Sequence, residues 1–267
     1  MSIPLYQVDA FTRSPFAGNP AGVAYLAEER SPAWMQALAM EMNLSETAFL
    51  TPVGDGFKLR WFTPKAEVKL CGHATLASAH ILWEQNYLSA GEMACFHTLS
   101  GPLTARRNGD WIEMDFPAKP VEAVIHSADL EAALGVKAIF IGKNEFDYLV
   151  EVENEATIRN LQPDITRLGE LPIRGVIVTA RCTSGEFDFV SRFFAPAVGV
   201  NEDPVTGSAH CCLGPYWQGI SGKTDFLAYQ ASPRGGIVRV CMRGDRVLLS
   251  GQAVTVFKTE LRDLADN

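Results

Sequence analysis

Alternating apolar and polar residues predict strands along most of this chain, while helical spacing is confined to a few segments. Short runs such as "YQVDAFT", "FKLRWFT" and "WIEMDFP" are bounded by turn residues, as strands commonly are. The first helical pattern consists of Trp34, Leu38 and Met42, which recur at i, i+4 and i+8 and therefore share one helix face. Ser31 and Pro32 precede this pattern and predict its N-cap and first helical residue. "SADLEAALG" predicts a further helix with an N-cap at Ser127 and an end at Gly135.

Two later helical segments are apolar over most of their surface. "HATLASAHILWEQN" follows Gly72, and "GSAHCCLGPYWQ" begins at Gly207. Strand-like runs flank each segment, and neither half of the chain has the β-α-β-α alternation of a doubly wound parallel sheet. The pattern therefore predicts an α+β protein in which each half is a mostly antiparallel sheet around one buried helix.

An internal repeat relates these two helices. "RWFTPKAEVKLCGHATLASAHIL" aligns with "SRFFAPAVGVNEDPVTGSAHCCL", and Gly72-His73-Ala74 then coincides with Gly207-Ser208-Ala209. The order of predicted elements also recurs on either side of the linker candidate "PAKP". We therefore predict two similar domains, over residues 1–117 and 118–254, with a C-terminal segment of about 255–267 that packs back on the first.

Length and charge restrict the classes of protein to which the chain can belong. Of its 267 residues 47% are hydrophobic, which is enough for one large or two modest domains. The formal net charge is −8, from 23 basic and 31 acidic side chains, and the basic residues form no cluster. This balance argues against a nucleic acid or an anionic membrane as partner.

The remaining bulk features predict a cytoplasmic protein without a metal. No apolar run approaches the roughly 18 residues that a membrane helix needs, and "MSIPLYQVDAFT" is unlike a secretory signal peptide. Six cysteines in a chain of this length do not make a disulfide framework, and the adjacent pair Cys211 and Cys212 is poorly spaced for a disulfide. The spacings C-x-x-C, H-x-x-x-H and H-E-x-x-H do not occur, so we expect no metal site.

The starts of the two apolar helices concentrate turn residues and reactive side chains. Gly72 and Gly207 allow a tight turn and the close approach of a ligand to the backbone. The helix behind each glycine has unpaired N–H groups and a partial positive charge at its N-terminus, which suits a carboxylate or a developing enolate. Two such helix ends facing each other would form a site between domains, and we expect the site there.

Three titratable residues are candidates for proton chemistry. His73 lies in a first helical turn, where the helix dipole disfavours its cation. Asp203 precedes the second helix and could bind substrate or cap the turn at Pro204. Glu46, in "NLSETAFL", begins an apolar strand. Desolvation there would raise its pKa and let it both take and return a proton near neutral pH, whereas a solvated or capping glutamate is the alternative.

Five motifs resemble the phenazine-biosynthesis PhzF-like isomerases, whose wider fold is that of diaminopimelate epimerase. They are "QVDAFTRSPFAGNPAGVA", "LSETAFL", "RWFTPKAEVKLCGHATLASAH", "NEDPVTGSAHCCLGPYW" and "SGQAVTVFKTEL", and together they extend over nearly the whole chain. The resemblance implies two pseudo-symmetric domains, each a strongly curved sheet or barrel around a central helix, with the site between the helix N-termini. It also implies a homodimer that uses no cofactor and no metal.

The same resemblance implies roles for individual residues. The family's catalytic glutamate falls on Glu46, its Gly-His pair on Gly72 and His73, and its Asp and Ser on Asp203 and Ser208. We therefore expect a cofactor-independent isomerase that moves a proton on a small anionic, conjugated or enolisable metabolite, with Glu46 as general acid/base. His73 and Asp203 would orient the substrate. The expected substrate-binding residues, at the two helix starts, are Gly72, Ala74, Gly207, Ser208 and Ala209.

Three alternatives remain open. The epimerase branch of the fold implies two thiols, one beside each helix; Cys71 is at the first position, but Thr206 is at the second, so an amino-acid epimerase or racemase is less favoured. A hydrolase or lyase would use Cys71 and His73, although two residues separated by one position in a helical turn rarely converge on one atom. A catalytically silent binding protein with the same fold is the third.

Overall fold

The chain divides into two units, which are described in turn. The computed structural model describes residues 2–125 and 127–262. The first unit comprises the described residues of Met1–Asp115 and Ser250–Asn267, and the second unit is Phe116–Leu249. The sequence predicts a boundary at 117 and a return segment from about 255, and residues 263–267 of that segment lie outside the described residues.

The first unit is built mainly of strands, and one of its two helices packs against several of them. Its elements are β1 (Ile3–Ala10), β2 (Asn19–Tyr25), α1 (Pro32–Met42), β3 (Glu46–Val53), β4 (Gly56–Phe62), β5 (Glu67–Val68), α2 (Gly72–Glu84), β6 (Ala94–Thr98), β7 (Gly101–Asn108), β8 (Trp111–Pro117), at which the boundary falls, and β18 (Ala253–Leu261). β1 pairs antiparallel with β2 and β18, and β2 pairs parallel with β3. β3, β4 and β5 are antiparallel, β4 is parallel to β6, and β6, β7 and β8 are antiparallel.

The second unit has the same kind of architecture. Its elements are β9 (Glu122–Ala123), α3 (Ala128–Leu134), β10 (Phe140–Lys143), β11 (Asp147–Glu151), α4 (Glu155–Arg159), α5 (Ile165–Gly169), β12 (Gly175–Arg181), β13 (Phe189–Ala195), β14 (Val200–Asp203), α6 (Gly207–Ser221), β15 (Asp225–Gln230), β16 (Gly236–Arg243) and β17 (Arg246–Gly251), at which the second boundary falls, with a 3₁₀ turn at Pro196–Val198. β11 is parallel to β12, β12 is antiparallel to β13, and β13 is antiparallel to β14 and parallel to β15. β15 and β16 are antiparallel.

The order of strand pairings repeats between the two units. β2 and β3 are a parallel pair in the first unit, as β11 and β12 are in the second. β4 then pairs in parallel with β6 across the connection that contains α2, and β13 pairs with β15 across the connection that contains α6. The predicted α+β fold of two similar halves is confirmed by this repetition, and the helix at the same place in each pattern is the one that the repeated motif predicts.

Helix α2 is the central element of the first unit. Ten of its thirteen residues are buried, and it packs against β1, β2, β3 and β18. Its buried hydroxyl groups are satisfied within the helix, since Thr75 Oγ1 donates to the Cys71 carbonyl at 2.5 Å and Ser78 Oγ donates to the Ala74 carbonyl at 2.7 Å. Back-bonding of this kind lets a polar residue lie in a core without an unpaired group. The mostly apolar surface of this helix is thus explained by its burial on nearly every side.

Helix α6 is the corresponding element of the second unit and packs on β16. Gly214 lies at the closest approach, because a Cβ there would come within 2.8 Å of the Met242 sulfur and 3.1 Å of a Val240 methyl. The helix ends at Gly222, whose φ of 71° is in the left-handed region that glycine adopts without strain.

Two predicted helices, α1 and α3, begin at their predicted N-cap residues, whereas two short helices were not predicted. Ser31 accepts from the Trp34 N–H at the start of α1, and Ser127 caps α3, which ends at Gly135. The short helices α4 and α5 were not predicted, since each has only five residues and so lacks a full amphipathic period. Among the described residues, no helix is both long enough and apolar enough to span a membrane.

Candidate active site

Glu46 lies at the first residue of β3, where its backbone pairs in parallel with Ala21 of β2. The five residues that follow it in the strand are all buried. Its own side chain is 19% exposed, so most of it is removed from water. The two alternatives that the sequence left open are thereby separated: the carboxylate is not at a solvated strand edge.

His73 lies between this carboxylate and a thiol. It is the second residue of α2 and is 6% exposed. Its Nε2 is 3.2 Å from Oε2 of Glu46, and its Nδ1 is 3.5 Å from Sγ of Cys71. The imidazole ring therefore bridges a carboxylate and a thiol from two different elements, at the beginning of β3 and at the beginning of α2.

The two neighbours reverse the effect of burial on His73. Burial disfavours the imidazolium, but the charge interactions with Cys71 and Glu46, together with their side-chain contacts, hold the pKa of His73 well above its usual value of 6.5. The pKa of Cys71 is also raised, because the thiol is buried and faces Glu46, although His73 and the Ala74 N–H oppose that shift. Glu46 therefore favours the cationic imidazole, while burial and the same carboxylate favour the neutral thiol.

The Glu46–His73 contact leaves both of its atoms without a hydrogen bond. Oε2 of Glu46 and Nε2 of His73 are buried and have no hydrogen-bond partner, although they lie 3.2 Å apart. The contact is therefore an ion pair whose orientation is unfavourable for a hydrogen bond. Buried polar atoms are rarely left in this condition except at functional sites or where a ligand completes them.

The start of α2 lies directly beside this pair. Cys71 is the N-cap residue, its backbone is extended, and it makes no side-chain capping hydrogen bond. The first N–H groups of a helix lack intrahelical acceptors. Gly72 and Ala74 therefore lie where an anion near Glu46 and His73 could accept hydrogen bonds from the backbone.

In the second unit, Asp203 is part of a network that shapes the start of α6. Thr206 Oγ1 donates to Oδ2 of Asp203 at 2.5 Å, and the Thr206 N–H donates to Oε1 of Gln230 at 2.9 Å. Nε2 of Gln230 donates back to the Asp203 carbonyl at 2.8 Å. The fully buried Gln230 thus holds both ends of the turn between β14 and α6.

Ser208, the second residue of α6, is exposed and contacts a guanidinium group. Nη2 of Arg174 donates to Oγ of Ser208 at 3.1 Å. Arg174 is itself held by two hydrogen bonds to the carboxylate of Asp147, a residue only 2% exposed, and its guanidinium group stacks on Phe146 and Phe193. Because the serine oxygen accepts from Arg174, its own proton is free to be donated to a ligand.

The remaining reactive side chains of α6 are structural. His210 is fully buried, its Nδ1 donates to the Thr206 carbonyl at 2.8 Å, and burial lowers its pKa to about 4. Burial raises the pKa of Cys211 and of Cys212 to about 12. Thiols of this kind are poor nucleophiles at neutral pH.

The predicted site residues thus fall into two sets. Glu46, Gly72, His73 and Ala74 come together in the first unit, while Asp203, Gly207, Ser208 and Ala209 lie at the start of α6 in the second. Sequence reasoning missed the residues that support the second set, Asp147, Arg174 and Gln230. They belong to ordinary strand flanks, and only the strand pairing that brings them to α6 distinguishes them.

The first set also contains donor atoms suited to a metal ion. One ligand atom each from Glu46, Cys71 and His73 lies within 4.8 Å of the other two. The sequence predicted no metal because the usual ligand spacings are missing, and this group combines Cys71 and His73 with a residue from a distant strand.

Comparisons with known proteins show the family to which the chain belongs. The chain matches a family model described as phenazine biosynthesis-like protein over residues 8–259. It is 56% identical to a protein of Halalkalibacterium halodurans named as an uncharacterized isomerase, over 98% of this chain and 99% of the relative. Among solved structures, a phenazine biosynthesis protein of the PhzF family from Enterococcus faecalis is 42% identical, with a TM-score of 0.94 over 98% of this chain and 100% of that one.

A more distant comparison concerns the epimerase alternative. A hydroxyproline epimerase from Agrobacterium vitis is 11% identical, with a TM-score of 0.65 over 97% of this chain and 92% of that one. At this identity the likeness shows a shared fold only.

Proposed function

Because the chain belongs to the phenazine biosynthesis-like PhzC-PhzF family and is an isomerase, we propose that it moves a proton on a small anionic metabolite without a cofactor. The metabolite has an acidic C–H beside a conjugated or enolisable group. One observation carries this proposal: a mostly buried carboxylate, Glu46, lies 3.2 Å from His73 at the start of a central helix.

The proton transfer balances without any other reactant. An oxygen of Glu46 takes the C–H proton, and the electron pair of that bond delocalises into the conjugated system as an enolate. The same carboxyl group then returns the proton to a different carbon, so the product has the composition of the substrate. A carboxylate shielded from water and placed beside a charged imidazole is suited to both halves of this step.

His73 and the start of α2 stabilise the charge that develops on the substrate. The raised pKa of His73, which Cys71 and Glu46 cause against the effect of burial, keeps a positive charge beside the reacting carboxyl group. The backbone at Gly72 and Ala74 adds the N–H groups and the positive end of a buried helix. Both groups are in place before the reaction, so they lower the barrier without reorganising.

The second set of residues is proposed to bind the anionic group of the substrate. Ser208 can donate its hydroxyl proton, and the backbone of Gly207–Ala209 has the same helix-start chemistry as α2. Asp203, fixed by Thr206, is proposed to orient a polar group of the substrate. An anion offered to the protein should therefore protect this segment from amide hydrogen exchange.

The thiol-based alternative is disfavoured by the environment of Cys71. Its pKa is raised by burial and by Glu46, whereas an epimerase thiol must ionise to remove a proton. Thr206 is the N-cap residue of α6, the position at which a second thiol would be needed. We therefore propose that Cys71 packs against the site and that Glu46 moves the proton.

The proposal is tested with two substitutions measured on the same exchange reaction. A metabolite pool is incubated with the protein in deuterated water, and deuterium uptake is followed by mass spectrometry. Glu46→Gln keeps the shape of the side chain but removes its basic oxygen, so uptake should fall by at least the roughly 10²–10⁴-fold typical of a lost general acid/base. Cys71→Ser should retain most of the activity.

The reverse result would restore the thiol mechanism. If Cys71→Ser abolishes uptake and Glu46→Gln spares it, in variants confirmed as folded by circular dichroism, the assignment of Glu46 is wrong. If the unaltered protein labels no metabolite at all, the proposed proton transfer is contradicted.

We also propose that the protein is a homodimer. Some large apolar side chains are strongly exposed, among them Phe16, Leu99 and Ile125, and sheet edges generally need cover. Size-exclusion chromatography with light scattering should give twice the mass of one chain. The mass of a single chain at micromolar concentration would contradict this proposal.

A further inference from the structure

The donor atoms around His73 differ in kind, and each comes from a chemically distinct group. Glu46 offers a carboxylate oxygen, Cys71 a sulfur and His73 an imidazole nitrogen, all within 4.8 Å of one another. Zn²⁺ accepts sulfur, nitrogen and carboxylate oxygen together, whereas Mg²⁺ and Ca²⁺ select oxygen alone. The set therefore favours a cation of the zinc type over a hard cation.

Two of these potential metal ligands make no hydrogen bond that metal binding would have to break. Oε2 of Glu46 and Nε2 of His73 are buried and make no hydrogen bond, although they are 3.2 Å apart. His73 is 6% exposed, so water does not readily complete either atom. A cation between them would bind both, and this unsatisfied pair is the feature that points to a ligand.

One of the distances is close to that between neighbouring ligands of a tetrahedral site. Zinc bonds of about 2.0–2.3 Å place neighbouring ligand atoms roughly 3.3–3.6 Å apart. The 3.2 Å between Nε2 of His73 and Oε2 of Glu46 is similar, and Sγ of Cys71 lies 3.5 Å from the other ring nitrogen. Because one imidazole nitrogen binds one ion, a cation held by all three residues requires the Cys71 sulfur to turn toward Nε2, and the three ligand atoms start within 4.8 Å of one another.

We propose that Glu46, Cys71 and His73 bind Zn²⁺ as an inhibitory ion rather than as a cofactor. Coordination uses the lone pair with which Glu46 would take a proton, and it requires the imidazole to be neutral and the thiol to release its proton to the solvent. The bound ion thus blocks the carboxylate that the isomerase reaction needs. The inhibition rests on the proposed function, but the binding does not.

Binding is measured first, with Co²⁺ as a spectroscopic substitute for Zn²⁺. Titration of the unaltered protein should produce a thiolate-to-cobalt charge-transfer band that saturates at one ion per chain and disappears when Zn²⁺ is added. Cys71→Ser should abolish the band. Cys95→Ser is the matched control, because Cys95 is a partly exposed thiol of β6 outside the site, and it should leave the band unchanged.

A second variant distinguishes the loss of one metal ligand from unfolding of the protein. Glu46→Gln keeps Cys71 and should retain the band, while the affinity for Co²⁺ falls. Loss of an outer-shell partner alone costs about 10–100-fold in metal affinity, so loss of this direct ligand should cost more than about 100-fold. The site is refuted if the unaltered protein shows no thiolate band, if Cys95→Ser removes it, or if Glu46→Gln binds Co²⁺ as tightly as the unaltered protein.

Inhibition is then measured by deuterium uptake at increasing Zn²⁺ concentration. Uptake should fall with the same midpoint as the spectroscopic titration and recover when a chelator is added. Uptake that is unaffected at saturating Zn²⁺ would overturn the inhibitory role while the spectroscopic result stood. Absence of uptake without Zn²⁺ would instead count against the proposed isomerase reaction, so the two failures are distinguishable.

Discussion

At the scale of single residues, Arg174 is the side chain whose contribution is easiest to isolate. Its guanidinium group joins the buried Asp147 to the exposed Ser208. Arg174→Met keeps a long apolar side chain between the Phe rings but removes every donor. Since a hydrogen bond to a charged group contributes about 1.5–3 kcal/mol, we expect the KM for an anionic substrate to rise about 10–100-fold, with a smaller change in kcat.

A structural effect of this substitution must be separated from a binding effect. Removing one partner of a buried ion pair is strongly destabilising, by about 3–5 kcal/mol, because Asp147 is left without its cation. The double variant Arg174→Met with Asp147→Asn should recover much of that stability and still show the raised KM. If KM returns to its original value in the double variant, Arg174 only stabilises the fold.

The residues of the candidate site differ in how far the sequence could predict them. Glu46 and His73 stand out by type and place, as an acid at the start of an apolar strand and an imidazole in a first helical turn. Their 3.2 Å contact could not be predicted, because it depends on where β3 begins beside α2. Arg174 and Gln230 carry no local signal, since their roles arise from the pairing of β12, β13 and β15.

At the scale of elements, α6 contains a built-in dependence of stability on pH. His210 is fully buried, and burial lowers its pKa from 6.5 to about 4, although its hydrogen bond to Thr206 opposes this. Between these two values the unfolded chain binds a proton that the folded chain excludes. The contribution is therefore fully present above pH 6.5 and is lost as the pH falls toward 4, by up to about 3 kcal/mol in the free energy of unfolding.

Substitution of His210 isolates this contribution from those of other titratable groups. His210→Gln retains a donor near the Thr206 carbonyl but cannot be protonated. Urea unfolding of both proteins between pH 7 and pH 4 should show a difference in stability that shrinks as the pH falls. A constant difference over that range would mean that His210 is already accessible to protons in the folded protein.

The helices differ in how well their sequence patterns predict them. α1, α2, α3 and α6 were predicted because each has either a capping residue or a long apolar surface. α4 and α5 were missed, although Asn154 and Asp164 accept capping hydrogen bonds from Thr157 and Arg167. A cap followed by a single turn occurs in many loops, so only tertiary packing of Ile158 and Leu168 in the core decides that these turns become helices.

At the scale of the whole molecule, the first unit is assembled from both ends of the chain. β18 (Ala253–Leu261) pairs with β1 over the full length of that strand, from Ile3 with Leu261 to Ala10 with Ala253, and it also packs on α2. The core of the first unit therefore cannot be completed until the last strand has been synthesised. The second unit is continuous and has its own buried cluster, which includes Leu130, Val178 and Phe194.

This arrangement predicts that truncation after Gln252 unfolds the first unit and leaves the second folded. The loss of β18 exposes one edge of β1 and one side of α2, whereas the core of the second unit keeps all its strands. Tryptophan fluorescence can distinguish the units, because Trp61 and Trp83 are buried in the first and Trp217 is buried in the second. We expect a red shift from the first two. In a truncated chain in which the four tryptophans of the first unit, Trp34, Trp61, Trp83 and Trp111, are replaced by Phe, we expect Trp217 to keep a buried spectrum. A chain ending at Arg262 retains all of β18 and is the matched control. If Trp217 becomes exposed together with the others after truncation at Gln252, the two units fold as one cooperative structure and the second is not independently stable.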